Sequence, residues 1–282
     1  MEHLGPGTTL GERYIAGRRL HQHPRWERWA AEDTVLGRDV VLLCFSPEDA
    51  QASATVDAGR RAAVVEDPRL VRVLDVVTSG PAYAVVEEAI PDAHALTQIL
   101  AGGGLPGDEA LRITGECAVA LATAATRGLH HLVLTPSNVL IRPDGAIMVR
   151  GVATEGALFG QDDLPAGEAS RRDARALVAI GYAALTGRWP LPGPNSGLQA
   201  APTLSGRVVT PGDLGAGSSP ELDRLSRVML VENAGPQTPE ELVAVLRPWS
   251  PVATIAVAIP LCHKAIHALN GQIDGGDGGP WA

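Results

Sequence analysis

The sequence predicts an α+β fold of two unequal lobes, a small β-rich lobe followed by a larger helical one. Short β-compatible runs separated by turn residues fill the first third of the 282-residue chain, and helix-compatible segments dominate the rest. With 45% apolar and 20% charged residues, the chain can bury a sizeable core. We expect an N-terminal lobe over residues 1–88, a helical lobe over 89–249 and a partly disordered tail over 250–282.

Five strands and one helix are predicted in the first lobe. Turn residues separate the strands, and Ser79-Gly80-Pro81 is a clear hairpin signal between the last two. The helix is an Ala-rich segment that ends before Asp67-Pro68. The predicted strands cover residues 13–20, 28–33, 39–45, 70–77 and 83–88, and the predicted helix covers residues 50–65.

Capping signals mark the elements of the second lobe. Asp108 is predicted to cap the N-terminus of a long helix, Gly187 to end another in the left-handed conformation, and Thr238 to open a third through a capping box. Residues 191–219 are rich in Pro, Gly and Ser and are predicted to form a loop. The predicted helices cover 107–127, 173–185, 220–231 and 238–247, and two short strands are predicted within 139–149.

The basic residues are almost all arginine. Of 23 Lys plus Arg, one is lysine, Lys264, so no lysine can serve chemistry in the first 263 residues. A P-loop nucleotide site is excluded, because its motif requires Gly-Lys-Ser/Thr. The 32 acidic residues bring the net charge to −9, which argues against nucleic acid as a partner.

The cysteines and the hydropathy pattern give no sign of a metal, a disulfide framework or a membrane span. Cys44, Cys117 and Cys262 lie far apart in apolar surroundings, as small buried hydrophobes do. Residues 251–262 form the longest apolar stretch, which is too short to cross a bilayer. The first seven residues lack the basic and apolar regions of a signal peptide. We therefore expect a cytoplasmic protein.

Several stretches resemble those of protein kinases and occur in the same order. Asp67-Pro68-Arg69-Leu70-Val71 resembles the family's His-Pro-x-Ile-Val segment, and Val85-Val86-Glu87 resembles the hinge between the lobes. Residues 128–140 overlay the catalytic loop, and residues 173–190, which end in Leu-Thr-Gly-Arg-Trp-Pro, overlay the central helix of the C-lobe. The match runs from about residue 10 to residue 246 and implies the two-lobed protein kinase-like fold.

The same overlay shows that the catalytic residues are replaced. The phosphate-gripping lysine falls on Leu43 and its helix glutamate near Ala58. The general base falls on Val133, and the metal-binding Asp of Asp-Phe-Gly falls on Gly151. The three glycine positions of the phosphate-covering loop fall on His21, His23 and Trp26, and only His131 and Asn138 of the catalytic loop are kept.

These replacements predict that the chain does not transfer phosphate. Phosphoryl transfer depends on positioning and electrostatic stabilisation, and a general base alone contributes about 10²–10⁴-fold. Asn138 cannot hold Mg²⁺ without a carboxylate, and Asp144, the nearest in sequence, lies in a strand turn. We expect no catalytic residue, bound metal or cofactor, and a structural role for His131 and Asn138. His21 and His23 with Glu27 could suggest a metal site, but solvated histidines are the favoured interpretation.

The pattern of losses resembles the actinobacterial MviN-type pseudokinase domain, which is attached to, or encoded near, the lipid II flippase of peptidoglycan synthesis. In that family a threonine phosphorylated by an active Ser/Thr kinase recruits a protein with a forkhead-associated (FHA) domain, and the complex restrains wall synthesis. The resemblance implies a phosphorylated scaffold with these two partners. It also implies association with a membrane flippase and recruitment to the inner face of the plasma membrane.

Four threonines are candidate phosphorylation sites. Thr210 lies in a Pro/Gly-rich loop and is expected to be accessible, Thr254 lies in the tail, and Thr8 and Thr9 lie near a flexible N-terminus. Phosphorylation would add about −1.5 to −2 charges for an Arg-bearing pocket to recognise.

Two alternatives remain open from the residues alone. The chain could be a Ser/Thr kinase-like protein with displaced catalytic residues and weak activity. It could also be a switch that binds nucleotide at the hinge near Glu87 without transferring phosphate.

Overall fold

A computed structural model describes residues 4–193 and 197–250 of the chain. The N-terminal part is a curled six-stranded antiparallel sheet in the spatial order β1-β2-β3-β4-β6-β5. A single helix, α1 (Ala52–Ala62), packs against it. The strands are β1 (Thr9–Leu10), β2 (Tyr14–Gln22), β3 (Trp26–Asp33), β4 (Arg38–Phe45), β5 (Val73–Val77) and β6 (Tyr83–Glu88).

Strand β4 lies at the centre of this sheet and is buried on both faces. Leu42 and Cys44 face one apolar cluster, whereas Leu43 and Phe45 face a second cluster on the side of α1. The alternation of side chains across a strand explains the two clusters. Gly59 allows α1 to pack closely on the sheet, because a Cβ at that position would lie 2.9 Å from the side chain of Val76.

The C-terminal part is mainly helical and has its core around α3 (Gly107–Ala125) and α5 (Ala166–Thr186). These two helices pack on each other, and α7 packs on α3. The other helices are α2 (Leu96–Ile99), α4 (Thr154–Leu158), α6 (Pro220–Leu225) and α7 (Pro239–Leu246), with 3-10 turns at Leu100–Gly102 and Pro136–Asn138 and a π-helix at Ser226–Val231. Among the described residues, no helix is both long and apolar enough to cross a membrane.

A small sheet joins the two parts below the cleft between them. It consists of β7 (His94–Ala95), β8 (Val139–Ile141) and β9 (Ile147–Val149). The amide of Val149 donates to the carbonyl of Arg69 at 2.7 Å, and the amide of Val71 donates to the carbonyl of Val149 at 2.9 Å. Backbone hydrogen bonds therefore hold β9, and the residues that follow it, against the segment leading into β5.

The α+β fold class predicted from the sequence is confirmed, and the two caps that depend on local geometry are as predicted. Gly187 ends α5 with φ of 67°, and the Thr238 hydroxyl accepts a hydrogen bond from the amide of Glu241 at 3.1 Å. The prediction for Asp108 is wrong. It lies inside the first turn of α3, where its carboxylate accepts from the amide of Glu109, because the helix begins one residue earlier at Gly107.

Three element predictions need further correction. Helix α5 begins at Ala166, seven residues before the predicted start, and the helix predicted over 220–231 becomes a π-helix from Ser226. The segment 191–219 contains three two-residue strands, β11 (Gln199–Ala200), β12 (Thr203–Leu204) and β13 (Arg207–Val208), and β11 pairs with β10 (Arg188–Trp189). The predicted tail from residue 251 lies outside the described residues.

Candidate functional site

A pocket of about 710 Å³ lies in the cleft between the two parts of the chain. Its roof comes from β2, β3 and β4, its back from the segment 87–93 that links the parts, and its floor from Leu140 and Arg150. This is the side of the cleft at which the hinge predicted from Val85-Val86-Glu87 is found. The polar side chains beyond it determine what the cleft can bind.

The position predicted for a phosphate-gripping lysine is apolar and closed. Leu43 is fully buried in a cluster with Phe45, Val56 and Leu158. Ala58, at the position of the partner glutamate, is also fully buried. Neither a cation nor its carboxylate partner is present at these two positions, so the ion pair that organises a kinase cleft cannot form there.

A different cation crosses the cleft. Arg28 of β3 is 2% exposed, and its guanidinium donates to Glu87 at 2.5 Å and to Glu155 at 2.6 Å. Glu87 ends the sheet at the hinge, whereas Glu155 lies in α4 after the third strand of the small sheet. One buried arginine therefore ties the roof of the cleft both to the hinge and to the C-terminal part.

The charges in this network stabilise each other. Burial acts to lower the pKa of Arg28, but the attraction of Glu87 and Glu155 outweighs it and the net shift is upward. Burial acts to raise the pKa of Glu155, and the nearby Arg28, His131 and Arg150 outweigh it, so its carboxylate stays charged. Arg150 has no ion pair among the described residues, and burial and repulsion from Arg28 lower its pKa to about 10.

Glu155 also fills the space beside Gly151, the position predicted for the metal ligand. A Cβ at Gly151 would lie 2.6 Å from the Glu155 Cδ, and Gly151 has a φ of 83°. The second carboxylate oxygen of Glu155 accepts a hydrogen bond from the Asn138 side chain at 2.7 Å. The other end of the Asn138 amide accepts from the backbone and hydroxyl of Thr135 at 2.9 and 2.8 Å. The retained asparagine thus has protein partners at both ends.

Aromatic rings fill the turn between β2 and β3, where the phosphate-covering glycines were sought. Trp26 stacks on His21 with ring centroids 4.8 Å apart and on His23 at 5.2 Å, and its edge meets Phe159 at 6.4 Å. These side chains close the backbone approach that phosphates require.

The same turn is fastened to the elements below it. Arg25 forms a two-pronged ion pair with Asp49 at 2.9 and 2.7 Å, and it donates to the carbonyl of Leu158 at 3.1 Å. The carboxylate of Asp49 balances the positive charge of Arg25. Arg25 therefore fastens the turn to Asp49 and to the end of α4.

The metal site considered for His21, His23 and Glu27 does not assemble. Glu27 is buried, and its carboxylate accepts from Trp29 Nε1 at 2.9 Å and from Arg19 at 3.2 Å. No group of three or more metal-ligating side chains occurs in residues 4–193 and 197–250. Trp29 is buried, whereas Trp26 is half-buried.

The loop that overlays the catalytic loop is anchored to α5 by Asp173, but it carries Val133 where a general base was sought. Asp173 at the α5 core accepts from the amides of His131 and Leu132 at 2.9 and 2.7 Å. His131 Nε2 donates to the carbonyl of Arg150 at 3.0 Å, so its ring supports the backbone before Gly151. Val133 is buried and offers no proton acceptor.

The candidate phosphorylation sites are placed differently from expectation. Thr210 is 4% exposed and donates to Asp213 at 2.9 Å, so the expectation that it is accessible is wrong. Thr9 is exposed but lies in β1, and the Thr8 hydroxyl accepts from the amide of Gly5 at 3.1 Å. The sheet therefore holds both threonines in place, contrary to the expectation that they lie near a flexible N-terminus. Thr254 lies outside the described residues.

Sequence reasoning missed the residues that fill the cleft, which are Arg28, Glu155 and Arg150. The local signal for Arg28 is weak, because charged residues surround it in β3. A signal for Glu155 does exist. The glycine at position 151 leaves room for a side chain four residues later, at the start of a helical turn.

Known proteins resemble this chain in sequence and in fold. Over 148 residues it is 28% identical to CBL-interacting protein kinase 20 of Oryza sativa subsp. japonica, which covers 50% of this chain and 32% of that protein. Over 214 residues it is 27% identical to serine/threonine-protein kinase pkn2 of Myxococcus xanthus, which covers 66% of this chain and 26% of that protein. The matched stretches therefore span about a third and a quarter of these relatives. No protein-family model matches.

The fold matches a solved kinase structure. The crystal structure of Rad53 1-466 in complex with AMP-PNP superposes with a TM-score of 0.59 at 16% identity, over 80% of this chain and 62% of that one. This likeness concerns the fold alone, whereas the two sequence matches indicate homology with protein kinases. The chain is therefore a protein kinase-like protein related to the serine/threonine kinases.

Proposed function

We propose that the chain is a pseudokinase, a kinase-like scaffold that does not transfer phosphate. The observation that carries this proposal is the buried ion-pair network in which Arg28 bridges Glu87 and Glu155 across the cleft. The network uses the space and the charges that a metal–nucleotide complex would need. The cleft thereby reaches a closed, charge-balanced arrangement from its own side chains.

The chemistry of phosphoryl transfer supports the same proposal. It needs a cation on the phosphates, carboxylates on the metal and a base for the acceptor hydroxyl. The corresponding positions hold Leu43, Gly151 and Val133. Glu155 is the carboxylate nearest to Asn138, and it is already committed to Arg28. Admitting Mg²⁺ would require breaking a buried ion pair, which is strongly unfavourable.

A melting experiment together with a transfer assay tests the proposal. A ligand present at 100 times its Kd stabilises a protein by about 2.7 kcal/mol, which is a large shift in Tm. We expect no rise in Tm at millimolar Mg²⁺-ATP and no labelled phosphate on the chain or on a generic Ser/Thr peptide. An active Ser/Thr kinase assayed in parallel is the positive control. Transfer by this chain, abolished by Asn138→Ala, would overturn the proposal.

One observation favours a second candidate, a switch that binds a nucleoside or nucleotide without transfer. The pocket of about 710 Å³ beside the hinge is large enough for a ligand of that class. Its roof is apolar at Ala30 and Val41, whereas its phosphate side is closed by Arg28 and Trp26. Adenosine should therefore bind better than Mg²⁺-ATP if this candidate is correct, and calorimetry with both compounds separates the two cases.

The scaffold itself is proposed to act through phosphorylation. By resemblance to the MviN-type pseudokinase domain, an active Ser/Thr kinase modifies a threonine and an FHA-domain protein then binds, to regulate peptidoglycan synthesis near a membrane flippase. Thr9 is the exposed candidate among the described residues, and Thr254, the other candidate, lies outside them. Thr210 fits poorly, because it is buried against Asp213.

Mass spectrometry after treatment with a wall-regulating kinase tests this part separately. We expect modification at Thr254 or Thr9 and binding of an FHA-domain protein that depends on that modification. Thr→Ala changes at the two positions serve as matched variants. Equal binding of the untreated chain would contradict the phospho-dependent scaffold without touching the claim that the cleft is inactive.

A further inference from the structure

A second cavity, of about 720 Å³, lies on the helical part and shares no lining residue with the cleft. It is bounded by the loop Leu132–Thr135, by the first half of α5 and by the segment around Trp189. We call it the arginine groove, because Arg171, Arg172 and Arg175 of α5 all line it.

Among residues 4–193 and 197–250, no carboxylate partners the three arginines of the groove. Arg171 donates to the backbone carbonyls of Pro236 at 2.5 Å and Ala234 at 2.8 Å, and Arg172 donates to the side-chain amide oxygen of Gln161 at 2.9 Å. In the part of the chain that the structure describes, none of the three forms an ion pair. The neutral partners of Arg171 and Arg172 position these two guanidinium groups without balancing their charge.

Arg175 is the least satisfied of the three. Its Nε is buried and has no hydrogen-bond partner in the described structure. A buried donor without an acceptor is costly, and in native proteins it often marks an absent ligand, ion or water. The positive charge of Arg171 is also disfavoured, because burial and the charge of Arg175 both lower its pKa. An anion in the groove would relieve both effects.

The charges and the floor of the groove indicate the kind of anion. Glu168 is the one acidic side chain lining it, so three guanidinium groups against one carboxylate leave a formal charge of +2. The floor is apolar, with Leu132, Val133 and Trp189. Val133 matters here, since a carboxylate at that position would oppose an anion. A doubly charged group flanked by apolar side chains complements such a surface.

We propose that the arginine groove binds a phosphorylated segment of a partner protein. A phosphorylated side chain carries about −1.5 to −2 charges near neutral pH, which matches the groove, and its oxygens suit the forked donors of arginine. The apolar floor would hold residues next to the phosphorylated one. This role is independent of the proposed loss of transfer in the cleft, because it needs no nucleotide.

Fluorescence anisotropy without nucleotide tests the proposal on the full chain. The probes are three labelled peptide pools with apolar flanking residues and, at a fixed central position, phosphothreonine, threonine or Glu-Glu. We expect the phosphothreonine pool to bind, the threonine pool not to bind, and Arg175→Gln or Arg172→Gln to weaken binding by at least about ten-fold. Binding should also weaken as salt rises.

Control variants keep the proposal falsifiable. Arg224→Gln removes an exposed arginine of α6 outside the groove and should leave binding unchanged. Arg175→Lys keeps the charge and serves if Arg175→Gln does not fold; it should retain part of the binding. Absence of phosphopeptide binding, equal binding of the Glu-Glu pool, or equal binding by Arg175→Gln and Arg224→Gln would overturn the proposal. Self-association abolished by Arg175→Gln would assign the groove to a second copy and would also overturn it.

Discussion

The carboxylate of Glu155 lies in the space beside Gly151 that any side chain at position 151 would have to occupy. The Cδ of Glu155 would be 2.6 Å, and its Oε1 2.7 Å, from a Cβ built on Gly151. A Cβ atom does not come this close to non-bonded atoms, so Glu155 or the backbone would have to move. The glycine at position 151 and the carboxylate of Glu155 are therefore two parts of one arrangement.

Introducing an aspartate at position 151 should destabilise the fold and should not produce phosphoryl transfer. Gly151→Asp places a side chain against Glu155 at a φ of 83°. Overpacking costs about 1–3 kcal/mol, and like charges add to it. We expect a lower free energy of unfolding in denaturant titrations and no phosphoryl transfer.

Gly7→Asp is the matched control for Gly151→Asp. Gly7 has a nearly equal φ of 87°, and nothing lies within 4 Å of its Cβ position, so it reports the backbone cost alone. Gly151→Asp should cost less stability in a Glu155→Ala background than in the wild type, and the coupling between the two changes should be about 0.5–3 kcal/mol. Equal losses for Gly7→Asp and Gly151→Asp would show that the Glu155 contact is not responsible.

Removing Arg28 should be among the most destabilising changes in the sheet. Arg28→Leu would leave Glu87 and Glu155 buried without their shared cation. Breaking a buried pair in this way costs about 3–5 kcal/mol. Chemical denaturation of the purified variant measures the loss, provided that its m-value stays that of the wild type.

Two further variants separate the charge network from simple packing. Arg60→Ala breaks the exposed pair with Asp57 and should change stability by less than about 1 kcal/mol. Combining Arg28→Leu with Glu87→Gln and Glu155→Gln removes all three charges. If this triple variant is as unstable as Arg28→Leu alone, uncompensated charge does not explain the loss.

Acid should weaken the start of the sheet through Asp33. Arg13 forms a two-pronged ion pair with this carboxylate, at 2.7 Å for each contact, and this hydrogen bonding lowers the pKa of Asp33 from 3.8 to about 2. A lowered folded-state pKa means that the pair stabilises the fold fully above about pH 4 and loses this effect as the pH falls through about 2.

Comparing wild type with Asp33→Asn over pH 2–7 checks this effect. The difference in unfolding free energy should be constant above about pH 5 and should narrow towards pH 2. A difference that is independent of pH would contradict a stabilising role for the charged Asp33 carboxylate.

The two described cysteines should not react with thiol reagents while the chain is folded. Cys44 and Cys117 are fully buried, and burial raises the pKa of Cys44 to about 12 and that of Cys117 further. In a Cys262→Ser background, Ellman's reagent should therefore titrate no thiol in buffer and two in denaturant. Rapid labelling in buffer would show that one of these sites opens locally.

The order of elements could be predicted because the signals are local. Strands β2 to β6 and helix α1 follow from short apolar runs, turn residues and an Ala-rich helix, and Gly187 and Thr238 end and begin helices as their chemistry requires. The start of α5 was missed, since residues 166–172 are polar and carry no apolar stripe. They are helical because they continue a helix whose later turns are buried.

For the cleft and the candidate phosphorylation sites too, local features could be predicted and tertiary ones could not. The prediction that Leu43, Val133 and Gly151 stand where the family has its lysine, base and metal ligand depends only on the order of residues. The accessibility of Thr210 was misjudged, because a Pro/Gly-rich composition does not reveal that the tertiary structure buries its hydroxyl against Asp213.

The amino-acid sequence by itself determined the two-part α+β architecture and identified Leu43, Val133 and Gly151 as the residues at the predicted catalytic positions. Both depend on residue types at particular places along the chain. The tertiary structure alone decided which other side chains occupy the cleft. Arg28 is 59 residues from Glu87 and 127 from Glu155, and no local pattern relates them. A buried arginine must find carboxylates wherever the fold brings them, and that is a property of three-dimensional packing.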